Sequence, residues 1–98
     1  MNFNDFLVTQ SDNKPEADWS DALRAMWYDG KGEWNEAHRI IQDASEGDEA
    51  WVHAYLHRKE GDLPNAEYWY RRARRSRPDT SLEEEYRTIV TSLLTTKE

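Results

Sequence analysis

The sequence predicts an all-α fold. Apolar residues recur at helical spacing along five stretches, and glycine or proline punctuates their ends. No stretch shows the apolar–polar alternation of a half-buried strand. At the N-terminus, Phe3, Phe6 and Leu7 suit one short helical turn, expected to behave as a flap or frayed end. A polar loop over residues 9–18 follows, so residues 1–17 read as an arm and residues 18–98 as the helical domain. The first full helix is expected from about Ala17 to Tyr28, with Trp19, Ala22, Leu23, Met26 and Trp27 on one face. Asp29-Gly30-Lys31-Gly32 ends it, because glycine takes the left-handed conformation of a helix C-cap without strain.

The second helix should run from Glu33 or Trp34 to about Ser45, with Trp34, Ala37, Ile40, Ile41 and Ala44 inward. The third, from about Glu49 to Glu60, carries two apolar stripes: Trp51, Ala54 and Tyr55 on one, Val52 and Leu56 on the other. Two stripes predict a central helix buried on two sides. Gly61 stops it, Asp62 is the expected N-cap of the fourth helix, and Pro64 suits its first turn. The fourth helix buries Ala66, Trp69, Tyr70 and Ala73 and is expected to continue until just before Pro78. A capping box, Ser81-Leu82-Glu83-Glu84, opens the fifth, which presents Tyr86, Ile89, Val90, Leu93 and Leu94 on one face.

Composition narrows the class. Leu, Ile, Val and Phe number only 15 of 98 residues and the net charge is −7, values that alone suit a disordered chain. Five Trp and five Tyr reverse that reading, because each ring buries far more surface than an aliphatic side chain. The chain has no cysteine, hence no disulfide frame, thiol nucleophile or thiolate metal site. Residues 1–8 lack a basic leader region and no run is apolar enough for a membrane span, so a cytoplasmic protein without membrane contact is expected. A pI near 4.9 argues against general nucleic-acid binding. The charge is uneven: residues 1–62 carry −8, residues 63–78 carry +4 from five arginines and Glu67, and residues 79–98 carry −3.

The chain also repeats. At an offset of 29 residues, Ala25, Gly32, Ala37 and Ala44 fall on Ala54, Gly61, Ala66 and Ala73. Large residues keep their places too, with Trp27, Trp34 and Ile41 falling on Leu56, Leu63 and Tyr70. The second unit, with Gly61-Asp62, Ala66, Tyr70, Ala73 and Pro78, resembles the second half of a tetratricopeptide (TPR) repeat. The first unit keeps Gly32, Ala37, Ile41 and Ala44 but not the proline, and the leading helices do not match that family's pattern cleanly. Residues 51–73 also resemble a segment of small uncharacterised bacterial proteins, a likeness that carries no activity.

The TPR resemblance implies two antiparallel helical hairpins with the fifth helix as a C-terminal cap. It also implies a non-catalytic module binding a protein or peptide on the surface of the leading helices. On this sequence that surface would hold Trp51, Tyr55, Arg58 and Lys59, with Trp19, Ala22 and Met26 beside them. The Asn and Lys positions of the carboxylate-clamp subclass are not met. Two repeats make a short solenoid, so self-association through a leftover apolar face is a further expectation.

Two clusters carry chemistry of their own. His53, His57 and Glu60 lie at i, i+4 and i+7 on the third helix, a spacing that can chelate a divalent metal. The His-Glu-x-x-His pattern of zinc proteases is absent, and His38 on the second helix is the remaining histidine. The favoured reading of these rings is packing, with a small metal-binding protein or enzyme as the alternative. Arg71, Arg72, Arg74, Arg75 and Arg77 are expected to close the fourth helix, with Tyr68, Arg71 and Arg75 facing outward. They serve either as a solvated face balanced by Glu83, Glu84 and Glu85 or as the dock of an anionic partner. The sequence shows no nucleophile elbow, phosphate loop or distinctive carboxylate pair, and no cofactor is expected.

Overall fold

The computed structural model describes residues 1–96. Among them are six α-helices: α1 (Phe3–Val8), α2 (Asp21–Gly30), α3 (Trp34–Ile41), α4 (Gly47–Glu60), α5 (Leu63–Arg72) and α6 (Leu82–Thr96). A 3-10 turn spans Thr9–Ser11, and the described residues contain no strand. The all-α class is that predicted by periodicity. None of the described helices is long and apolar enough to cross a membrane.

Local chemistry sets most of the helix ends. Asp62 Oδ1 accepts the Asn65 amide at 3.3 Å, with Pro64 in the first turn of α5. Ser81 Oγ accepts the Glu84 amide at 3.1 Å, and Glu84 Oε1 reaches back to the Ser81 amide at 3.5 Å, closing the expected capping box. The helix expected from Ala17 starts only at Asp21, because Ser20 is its N-cap and accepts the Leu23 amide at 3.2 Å. Trp19 therefore lies outside α2, buried by stacking on Phe6 with ring centroids 5.6 Å apart. α3 ends at Ile41, short of Ser45.

Three helices end in the same way. After α2, Gly32 donates to Asp29 O and Glu33 to Tyr28 O. After α4, Gly61 donates to Arg58 O and Asp62 to His57 O. After α5, Arg74 donates to Arg71 O and Arg75 to Tyr70 O. This paired pattern is a Schellman motif, which requires a left-handed residue. Gly32 (φ 84°) and Gly61 (φ 90°) provide it at the first two ends, and Arg74 (φ 61°) provides it at the third. That reversal ends α5 at Arg72, well before Pro78, so only Arg71 and Arg72 of the five arginines are helical.

α2 packs against α3, and α4 against α5. α4 is the central element, also touching α2, α3 and α6, and every residue from Ala50 to His57 is buried, as its two stripes required. α6 lies across α2 and α4. It comes close at Gly30, where an added Cβ would collide with the Tyr86 hydroxyl. The N-terminal arm is not a free flap: α1 packs on α6 and Phe6 is fully buried in the common core.

Candidate metal centre

The open face expected over α4 is closed. Trp51 is only 5% exposed and Tyr55 only 3%. The Arg75 guanidinium covers the Trp51 ring at 3.4 Å from its centroid, and Tyr55 lies against Tyr86 of α6 at 6.2 Å. Burial raises the Tyr55 phenol well above its usual range, with the Asp29 carboxylate acting in the same direction. Arg58 donates to Glu85 Oε1 at 2.7 Å and also to Thr80 O, while Lys59 pairs with the buried Asp29 at 3.0 Å. A binding groove lined by Trp51 and Tyr55 is therefore not present: α6 and the loop after α5 fill the space a peptide would need. What remains of that face is a cavity of about 560 Å³, lined in part by Phe3, Leu7, Tyr55, Lys59 and Tyr86.

The arginine cluster is also arranged differently from expectation. Arg77 pairs with Glu67 at 2.7 Å and Arg72 donates to Ser45 O at 3.0 Å, so neither is balanced by Glu83, Glu84 or Glu85. Tyr68 is 45% exposed and meets Trp69 edge-on, and among the described residues no arginine stacks on it.

The histidines, by contrast, converge. His53 and His57 are one turn apart on α4, their rings stacked at 4.8 Å. His38 of α3 faces them, with its Nε2 3.1 Å from His53 Nε2 and its ring 5.3 Å from that of His57. One ring nitrogen from each of the three lies within 4.8 Å of the other two. Two half-buried indoles bracket the group: Trp34 stacks on His38 at 5.0 Å and Trp69 on His53 at 4.0 Å. Trp34 is held by donation from its Nε1 to Leu56 O at 2.9 Å.

Glu60 occupies an outer position. Its Oε2 lies 2.6 Å from His57 Nδ1, and a carboxylate accepts there, so Nδ1 carries a hydrogen and Nε2 is the ring nitrogen left for a metal. Asn65 Nδ2 lies 3.4 Å from that nitrogen. The expected trio of His53, His57 and Glu60 is thus regrouped: His38 joins the two α4 rings, and Glu60 orients one of them from behind. A second grouping, His57, Glu60 and Asp62, sits at the exposed end of α4.

Burial pushes the His53 imidazolium down to about 3, reinforced by the neighbouring His57 and His38. His38 is lowered by burial and then by His57, with Glu60 opposing. Neutral rings with available lone pairs are the form in which histidine binds metal. His53 also leaves Nδ1 buried without a hydrogen-bond partner among the described residues. In either neutral tautomer one His53 nitrogen has to meet His38 and the other is left unsatisfied, at a cost of about 1–3 kcal/mol. The Nε2–Nε2 separation of 3.1 Å between His38 and His53 is close to the edge of a tetrahedron about a zinc ion, roughly 3.3–3.4 Å for bonds near 2.0–2.1 Å.

Sequence spacing alone does not place His38, Trp34, Trp69 or Asn65 at a site. One signal is present: Trp34 and His38 are spaced i, i+4 on α3, as His53 and His57 are on α4, so each helix carries its ring pair on one face. No family model, no curated protein and no solved structure matches this chain.

Proposed function

We propose that the chain is a small helical metal-binding protein whose His38, His53 and His57 hold one divalent transition-metal ion. The observation that carries this reading is the convergence of three buried or half-buried imidazoles from two helices, each with a ring nitrogen within 4.8 Å of the other two. Glu60 supports it as an outer partner, since a carboxylate on the far nitrogen of a ligating histidine fixes the tautomer and raises ligand basicity. Imidazole donors without thiolates suit zinc, nickel and copper over calcium or magnesium. Binding is favoured over catalysis because the carboxylate nearest the rings is engaged on His57.

Titration with zinc, followed by the ring resonances of the three histidines, is expected to saturate at one ion per chain. Cobalt in its place should give visible d–d bands. His38→Gln should abolish both signals and Glu60→Gln should weaken affinity about 10–100-fold. Failure of all three rings to shift at stoichiometric zinc sinks the proposal.

A second reading, a protein-interaction module built of TPR-like hairpins, is supported by the outward face of α5. There Tyr68 and Arg71 are exposed on an otherwise acidic molecule, suited to an acidic surface such as that of a second copy. Sedimentation equilibrium of Tyr68→Ala/Arg71→Glu against wild type tests it, and a monomer in both removes self-association.

A further inference from the structure

We propose that the recess behind the end of α5 is an oxyanion site for a phosphate monoester, with Arg74 and Arg75 as its principal donors. The recess, of about 350 Å³, is lined by both arginines and by Ser76, Thr80 and Thr88, with Trp51 as one wall. It is independent of the histidine centre.

The two guanidiniums differ from the other cations around them. Arg58, Arg72 and Arg77 are each committed to an acceptor within the fold. Neither the Arg74 nor the Arg75 guanidinium has a hydrogen-bond or ion-pair partner among the described residues. Arg75 is nonetheless placed, because its guanidinium lies on the Trp51 ring at 3.4 Å. Stacking uses the face of the guanidinium and leaves its in-plane N–H donors unspent, the fork that matches a phosphate oxygen pair. A side chain already held in this way loses less conformational freedom when an anion arrives.

The acid in the recess does not repel an anion. Glu85 is buried, and its two oxygens are satisfied separately, Oε1 by Arg58 at 2.7 Å and Oε2 by the Tyr70 hydroxyl at 2.6 Å. With that charge balanced, Arg74 and Arg75 leave the recess with a net positive charge on a chain of net charge −7. Arg74 supplies the second half of the case. The equivalent positions after α2 and α4 are glycine, and the left-handed conformation at φ 61° is one that arginine adopts with strain. What arginine brings there, and glycine does not, is a cationic side chain on a residue that lines the recess. The volume exceeds that of bare phosphate and leaves room for the group it esterifies. That group is a small organic alcohol or a phosphorylated side chain, two sources of one chemistry.

The test follows the Trp51 indole and Arg75 Nε resonances by NMR on the full chain at constant ionic strength. The probes are inorganic phosphate, phenyl phosphate, and N-acetyl-phosphoserine amide, with chloride as the control. Saturable shifts with the phosphates and none with chloride are expected, and tighter binding of one ester over the other identifies the source. Arg75→Gln should weaken binding at least tenfold, and Arg77→Gln, whose partner is Glu67, should leave it unchanged. Arg74→Gly relieves the backbone and should fold at least as well as wild type while still losing affinity. Shifts that grow linearly without saturating overturn the proposal. So does an Arg77→Gln loss equal to that of Arg75→Gln, or unchanged affinity in Arg74→Gly.

Discussion

At Arg74 a single backbone angle separates stability from chemistry. The residue sits where two other helix ends of the same chain use glycine, at φ 61°. Arg74→Gly should raise stability by about 1 kcal/mol, read as a higher urea midpoint at unchanged slope. His53 makes the complementary case, in which burial and not backbone is the cost. An unfolded histidine titrates near 6.5, whereas burial pushes folded His53 down to about 3. Above pH 6.5 both states are neutral and the group contributes nothing. As pH falls below 6.5 the unfolded chain takes up a proton that the folded chain refuses, so stability falls toward pH 3. His38, lowered in the same direction, adds to the loss, whereas Asp29, whose carboxyl is raised by burial, works against it in the acid range. Metal-free protein should therefore lose on the order of 1–2 kcal/mol from His53 between pH 6.5 and 5, above the ordinary carboxylate range. His53→Phe should flatten that slope in urea melts, and an unchanged slope would show that His53 is not the group responsible.

At the scale of elements, much was legible because caps are local chemistry. Ser81 with Glu84, Asp62 with Pro64, and Gly61 each do in the structure what their residue types predict in sequence. The misreadings have local causes as well. Trp19 continues the spacing of α2 across a cap, since Ser20 ends the helical backbone but not the burial. α5 ends earlier than its sequence predicts because its left-handed residue is an arginine, and only a glycine or proline there announces the turn. The short α1 is part of the core and not the frayed end its sequence predicts. Its Phe6 has no exposed surface and stacks on Trp19, joining an arm to the main core. Phe6→Ala should cost about 3–5 kcal/mol, as for other buried phenylalanines. A melting temperature close to wild type would show that α1 docks without holding the fold.

On the scale of the molecule, the proposed metal would bridge α3 and α4, and so the α2–α3 pair to the α4–α5 pair. Zinc at about a hundred times its dissociation constant should then add about 2.7 kcal/mol to stability, seen as a concentration-dependent rise in melting temperature that His38→Gln removes. The amino-acid sequence by itself determined the helical class, the central place of α4 and the aromatic core, because periodicity reports which residues share a face of one helix. It also brought His53 and His57 together, being one turn apart. Only the tertiary structure decided that His38 completes the group, that α6 and Arg75 close the face over Tyr55 and Trp51, and that Glu60 stands behind His57. Those outcomes depend on which faces of separate helices meet, and that is set by side-chain volumes summed over the whole core, a quantity that no single stretch of sequence contains.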